Sequence, residues 1–116
     1  MSWQDLSSAP DPGTRVCARA ELRGARALVV TTERGAFPML VVETPAGVRG
    51  YVNACPHQYL PLDHRGPQIL SADGRRLMCS NHGAMFDIET GAGEGCALDP
   101  VPLRVDGSGA VVIGLA

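Results

Sequence analysis

Lysine is absent from this 116-residue chain, so all ten of its basic residues are arginines. They are scattered among twelve acidic residues, leave a net charge of −2 and form no basic stripe; Arg75-Arg76 is only a pair. No nucleic-acid partner is expected from that distribution. Nor does any apolar run reach the roughly 18 residues of a membrane-spanning helix, and no basic start leads into a hydrophobic core. Neither a membrane anchor nor a secretory signal is therefore expected, and the sequence reads as cytoplasmic. Helical periodicity is scarce, whereas fourteen glycines and nine prolines favour short strands joined by turns. The glycine-rich run at 91–95 lacks the Lys-Ser/Thr ending of a phosphate loop and a helix to follow it, which argues against nucleotide binding. No Ser/His/Asp arrangement stands out, and Cys96 sits among glycines without a neighbouring histidine, so hydrolytic or acyl-transfer catalysis has no support. The length suits one domain, 1–116, with a modest core, and is short for an enzyme with an elaborate pocket.

What the chain does contain is concentrated in one stretch. Cys55-Pro56-His57 opens it and Cys79-Ser80-Asn81-His82 closes it, with 21 residues between the two knuckles. Each knuckle offers one thiolate and one imidazole, whereas zinc sites more often pair cysteines in one knuckle and histidines in the other. A binuclear iron–sulfur centre with two chemically different irons needs this mixture, two thiolates for one iron and two imidazoles for the other. In an extended segment residues two apart point the same way, so Cys55 and His57 can face one cluster from one loop. Cys79 and His82 need a turn, and Gly83 is suited to the backbone angles of its exit. Pro56 stiffens the first knuckle. A structural zinc module with the same Cys2His2 inventory is the alternative from a different class. Of the remaining cysteines, Cys17 reads as a small apolar filler, and a Cys17–Cys96 disulfide is not expected in a reducing compartment. His64 does not fit the ligand spacing and reads as a surface histidine.

The rest of the chain reads as scaffold. Residues 1–13, with Trp3 as core cover, form a short strand or arm and then a loop. Residues 15–19 alternate as a weak strand, with Val16 and Ala18 on one face and Cys17 on the other. Residues 28–32 and 39–43 are β-branched and apolar and predict two buried strands. A turn at 44–47 and a third strand at 48–52 deliver Asn53-Ala54 into the first knuckle, so that loop rides on a rigid element. Residues 58–62 are apolar yet loop-like and suit packing over the flank of the cluster. Residues 69–70 and 75–78 flank an Asp73-Gly74 turn as a hairpin leading to the second knuckle. A short strand at 85–88 leaves the site, Glu89-Thr90-Gly91 turns it, and strands at 101–105 and 111–113 close the domain across the turn at 106–109.

On Cys55-Pro56-His57, Cys79-Ser80-Asn81-His82-Gly83 and Phe86-Asp87, the sequence resembles the Rieske-type [2Fe-2S] family, most nearly its low-potential ferredoxins, and more loosely the resemblance covers nearly the whole chain. It implies an all-β fold, an antiparallel sheet sandwich with a small cluster-binding subdomain formed by two loops at about 53–87. It also implies one [2Fe-2S] cluster held by Cys55, His57, Cys79 and His82, with the two histidines as the exit for electrons. High-potential members carry a Ser and a Tyr where this chain has Ala84 and Phe86, and a loop-bracing disulfide where it has Leu60 and Asn81. Without those hydroxyls the reduced cluster is less stabilised, which implies a potential near about −150 mV rather than +300 mV. The expected role is a ferredoxin carrying single electrons from a reductase to a terminal oxygenase, with the small subunit of a cytoplasmic nitrite reductase as the close alternative. Either way its partners are redox proteins, and no small-molecule substrate of its own is implied.

Overall fold

The computed structural model describes residues 3–22, 24–56, 60–80 and 83–114. Among the described residues nine strands form three antiparallel sheets: β1 (Arg15–Ala18), β2 (Ala25–Thr32), β3 (Gly35–Thr44), β4 (Gly47–Val52), β5 (Arg76–Met78), β6 (Met85–Asp87), β7 (Pro100–Val101), β8 (Leu103–Val105) and β9 (Ala110–Ile113). The largest runs in the order β2-β3-β4-β7, a second runs β1-β9-β8, and β5 pairs with β6. The all-β antiparallel class expected from the sequence is the one observed.

Strand β3 explains the layering. Side chains alternate across a strand, and β3 is apolar on both faces. Phe37, Met39 and Val41 enter a first core shared with Val111 and Ile113 of β9, while Leu40 and Val42 enter a second core shared with Leu62, Leu77 and Phe86. All ten of these side chains are at most 1% exposed. Burial of each contributes about 1.5–3 kcal/mol. The β3–β4 register keeps the faces in step: Met39 lies opposite Val52 above the first core, and Leu40 opposite Tyr51 above the second. One sheet thus serves two cores, and the second is where the loops attach.

Several sequence expectations need correction. The leading arm is a 3-10 turn, Trp3–Asp5, rather than a strand; Trp3 is nonetheless buried, 6.2 Å centroid to centroid from Phe37. The segment at 28–32 belongs to an edge strand, not a buried one. Among the described residues β2 pairs only with β3, so Leu28 and Val30 meet the first core while Val29 is 58% exposed. β3 begins at Gly35, upstream of the expected start, because Pro38 costs no ladder bond there: pairing with β4 ends at Met39–Val52, and the Pro38 carbonyl accepts from the Asn53 N–H at 3.0 Å. The single strand expected at 101–105 is two strands in different sheets, split at Pro102. The hairpin around Gly74 is present as hydrogen bonds, Ser71 N–H to the Arg76 carbonyl and Met78 N–H to the Ile69 carbonyl, with one bridge at Leu70–Leu77.

Candidate functional site

Asn53 follows β4 directly, and Cys79 follows β5 directly, so each knuckle starts where a strand ends. The two loops close in the same way. The Cys55 N–H donates to the Leu60 carbonyl at 2.7 Å, and the Cys79 N–H donates to the Ala84 carbonyl at 2.8 Å. In both, a cysteine amide reaches the carbonyl five residues on. The second loop is tightened further by Gly83, whose N–H donates to the Cys79 carbonyl at 2.8 Å with φ at +74°. That left-handed angle is the one Gly83 was expected to supply.

Both thiols are 2% exposed and both belong to the second core. His57 and His82, with Gln58, Tyr59 and Asn81, lie outside the described residues, so the cysteines are the described half of the expected ligand set. Among the described residues no group of three or more metal-ligating side chains forms. Cys17 is buried in the first core, where burial pushes its thiol up against the opposing charge of Arg26, as suits a filler. Cys96 borders the second core, its Sγ 3.8 Å from the Glu94 carbonyl, and neither cysteine is in a disulfide. His64 is exposed, as expected.

The brace between the loops centres on the backbone of Leu62. The Leu62 carbonyl accepts from the Ser80 N–H at 2.8 Å, and the Leu62 N–H donates to Asn53 Oδ1 at 2.7 Å. Asn53 Nδ2 donates to Asp63 Oδ1 at 3.1 Å, and Ser80 Oγ accepts from the Arg65 N–H at 3.0 Å. The sequence reading places Asn53 at the entry to the first knuckle and Ser80 within the second, and gives neither side chain a role. The available signal was polar character at 53 in an otherwise apolar strand ending, since a buried amide needs partners.

Phe86 forms the floor on the β6 side. It is 1% exposed, pairs with Leu77, and is backed by Gly93, where a Cβ would fall 2.8 Å from the ring. Beyond it an open groove of about 670 Å³ runs along the second loop between Arg76, Met85, Asp87 and Cys96. Behind the site the Tyr51 hydroxyl donates to the Ile88 carbonyl at 2.7 Å. Burial pushes this phenol up to about 12; Arg49 opposes the rise, and Asp87 and Glu89 add to it.

A family model for the Rieske [2Fe-2S] domain matches residues 13–103, which include both cysteine loops and the strands that carry them. The chain belongs to the Rieske [2Fe-2S] domain family. Among solved structures it is similar to the Sphingomonas yanoikuyae B1 ferredoxin, at 27% identity and a TM-score of 0.67, covering 90% of this chain and 99% of that one. It is also similar to the ferredoxin of carbazole 1,9a-dioxygenase from Nocardioides aromaticivorans IC177, at 21% identity and a TM-score of 0.69, covering 91% and 100%. A third similar structure is described as the small subunit of an NADH-dependent nitrite reductase from Mycobacterium tuberculosis, at 21% identity and a TM-score of 0.65, covering 89% and 95%. No curated protein sequence matches the chain.

The cofactor of a Rieske domain is one [2Fe-2S] cluster, and the described residues fit it. Two buried thiols, carried into one core by separate loops, suit an iron bound through soft ligands. The apolar floor around them keeps water from the sulfurs, a factor that tunes potential. Among the described residues no helix is long and apolar enough to cross a membrane.

Proposed function

We propose that this Rieske protein is a cytoplasmic one-electron carrier, with Cys55 and Cys79 ligating one iron of its cluster and His57 and His82 the other. The domain is then 1–116, with its cluster-binding part at about 53–87. When bound, the cluster takes up and returns one electron at a time and makes no bond in a substrate. The chain supplies the rest. Its loops fix the thiolates, its second core excludes water from them, and the imidazoles offer the edge through which a partner exchanges electrons. The observation that carries this reading is the pair of cysteine loops closed by the same N–H to carbonyl bond, with both thiols in one core.

The finer reading is a ferredoxin that accepts electrons from a reductase and passes them to a terminal oxygenase. Its support is likeness over almost the whole length of the Sphingomonas ferredoxin. The small subunit of a nitrite reductase remains the second reading, supported by comparable coverage of the mycobacterial protein. The two separate by assembly. A carrier that shuttles needs a small, transient docking patch and purifies alone, whereas a permanent subunit buries a larger apolar face and co-purifies with its partner.

The test is purification of the chain with iron, sulfide and zinc analysis and EPR of the dithionite-reduced protein. Two irons and two sulfides per chain with an EPR signal from one reduced cluster is the expected result. A colourless, folded protein with stoichiometric zinc would overturn it in favour of the structural zinc module.

A further inference from the structure

We propose that Asn53 is a positioning residue for the cluster, setting the spacing of the two ligand loops through the backbone of Leu62. This rests on the ligand assignment above.

Asn53 is 6% exposed, and its side chain meets two different demands at once. The Leu62 N–H needs an acceptor and finds Asn53 Oδ1 at 2.7 Å; the Asp63 carboxylate needs a donor and finds Asn53 Nδ2 at 3.1 Å. The asparagine amide offers both groups on separate atoms, a carbonyl oxygen to accept and an NH2 to donate. Asn53 is itself held to the main sheet by its own N–H, which donates to the Pro38 carbonyl at 3.0 Å. From Leu62 the line continues through its carbonyl to the Ser80 N–H at 2.8 Å.

The path therefore runs from β3 through Asn53 and Leu62 to Ser80. Asn53 lies two residues before Cys55, and Ser80 follows Cys79 directly. Each end of the path thus adjoins a cysteine, and the two peptide groups flanking the Leu62 Cα cannot move without straining both ends. Leu62 is anchored independently by its side chain, 0% exposed in the second core. A shift of one loop against the other needs one of these buried bonds to break, leaving a desolvated amide or carbonyl unpaired.

The chemistry yields a reciprocal test. Asn53→Leu removes both side-chain bonds. Asn53→Asp keeps the acceptor but sets two carboxylates against each other, and adding Asp63→Asn restores the pair with its polarity reversed. Val41→Ala serves as the control; it opens the first core and destabilises the fold while leaving every bond of the path in place.

Holoprotein of each variant is compared by the rate of cluster loss at a denaturant concentration giving equal global stability, by the EPR spectrum of the reduced state, and by amide exchange at Ser80. Asn53→Leu is expected to speed cluster loss about tenfold, the factor corresponding to about 1.4 kcal/mol. It should also alter the EPR line shape and raise exchange at Ser80 in the opposite loop. Asn53→Asp with Asp63→Asn should return all three to within about twofold of the parent. The proposal is overturned if Asn53→Leu matches Val41→Ala in cluster loss and EPR at equal stability, if Ser80 exchange is unchanged, or if the reciprocal pair fails to rescue while single Asn53→Asp and Asn53→Leu behave alike. A parent protein that holds zinc and no iron would overturn the electron-carrier reading instead, and Ser80 exchange would still decide the path.

Discussion

Ala84→Ser combined with Phe86→Tyr puts hydroxyl groups at the two positions that border the second cysteine loop. The Ala84 carbonyl closes that loop on Cys79, and its side chain is half-buried beside the second core; Phe86 is 1% exposed within it. Neither parent side chain can donate a hydrogen bond. A donor that reaches a cluster or ligand sulfur favours the reduced state, which carries one more negative charge. If each bond contributes about 1.4 kcal/mol to that difference, each raises the midpoint by about 60 mV for a one-electron couple. The double variant should therefore rise by about 120 mV from a parent expected at about −150 mV, with each single variant about halfway. Voltammetry of the purified protein measures the midpoint directly. Thermal unfolding supplies an internal check, because a tyrosine hydroxyl left unpaired at so buried a position costs about 1–3 kcal/mol. A raised potential with unchanged stability means that the hydroxyl found its acceptor. An unchanged midpoint in a folded, fully loaded double variant refutes the argument that missing hydroxyls set the potential.

Gly93→Ala should cost about 1–3 kcal/mol in denaturant unfolding, because the new Cβ would lie 2.8 Å from the Phe86 ring and 3.1 Å from the Met85 carbonyl, and neither can yield easily. Tyr51→Phe should lose about 1 kcal/mol at neutral pH through the bond to the Ile88 carbonyl. It should also change the alkaline limb. The parent phenol is raised from 10.0 to about 12 by folding, so its contribution is complete below pH 10 and is lost as pH rises through about 12; the variant should show a flatter stability curve across that window. His57→Cys should lower the midpoint or prevent cluster assembly, since a thiolate adds negative charge where an imidazole was neutral; a loaded variant with a higher midpoint would refute the role of His57 as a ligand.

The fold was legible where local pattern decides it. Alternation and β-branched runs located β3, β4 and β9, and the turn residues around Gly47, Gly74 and Gly109 all fall at chain reversals with positive φ. Legibility failed where a neighbour decides. Residues 28–32 have the composition of a buried strand, but whether Val29 is covered depends on a second neighbour for β2, which the sequence of β2 does not specify. Pro102 marked a break only once β7 and β8 were seen to join different sheets.

The site divides along the same line. Cysteine and histidine at short spacing carry their chemistry in their side chains, so both cysteine loops could be read directly. The brace could not, because its central member is the backbone of Leu62, and backbone N–H and carbonyl groups are common to nearly every residue. Its partners lie nine residues back at Asn53 and eighteen forward at Ser80, and only the folded chain brings them together. This has a consequence for how such a loop pair evolves. A disulfide brace requires two particular residues to appear together, whereas a peptide brace requires one amide side chain and a backbone that two cores already hold in place. The sharing of β3 between those cores supplies that backbone: Pro38 and Leu40 lie on the strand that anchors Asn53 and packs against the loops, while Met39 and Val41 tie the same strand to the first core. Packing on the far face of the sheet holds β3 itself, so substitutions such as Val41→Ala weaken the whole fold without selectively loosening the loops.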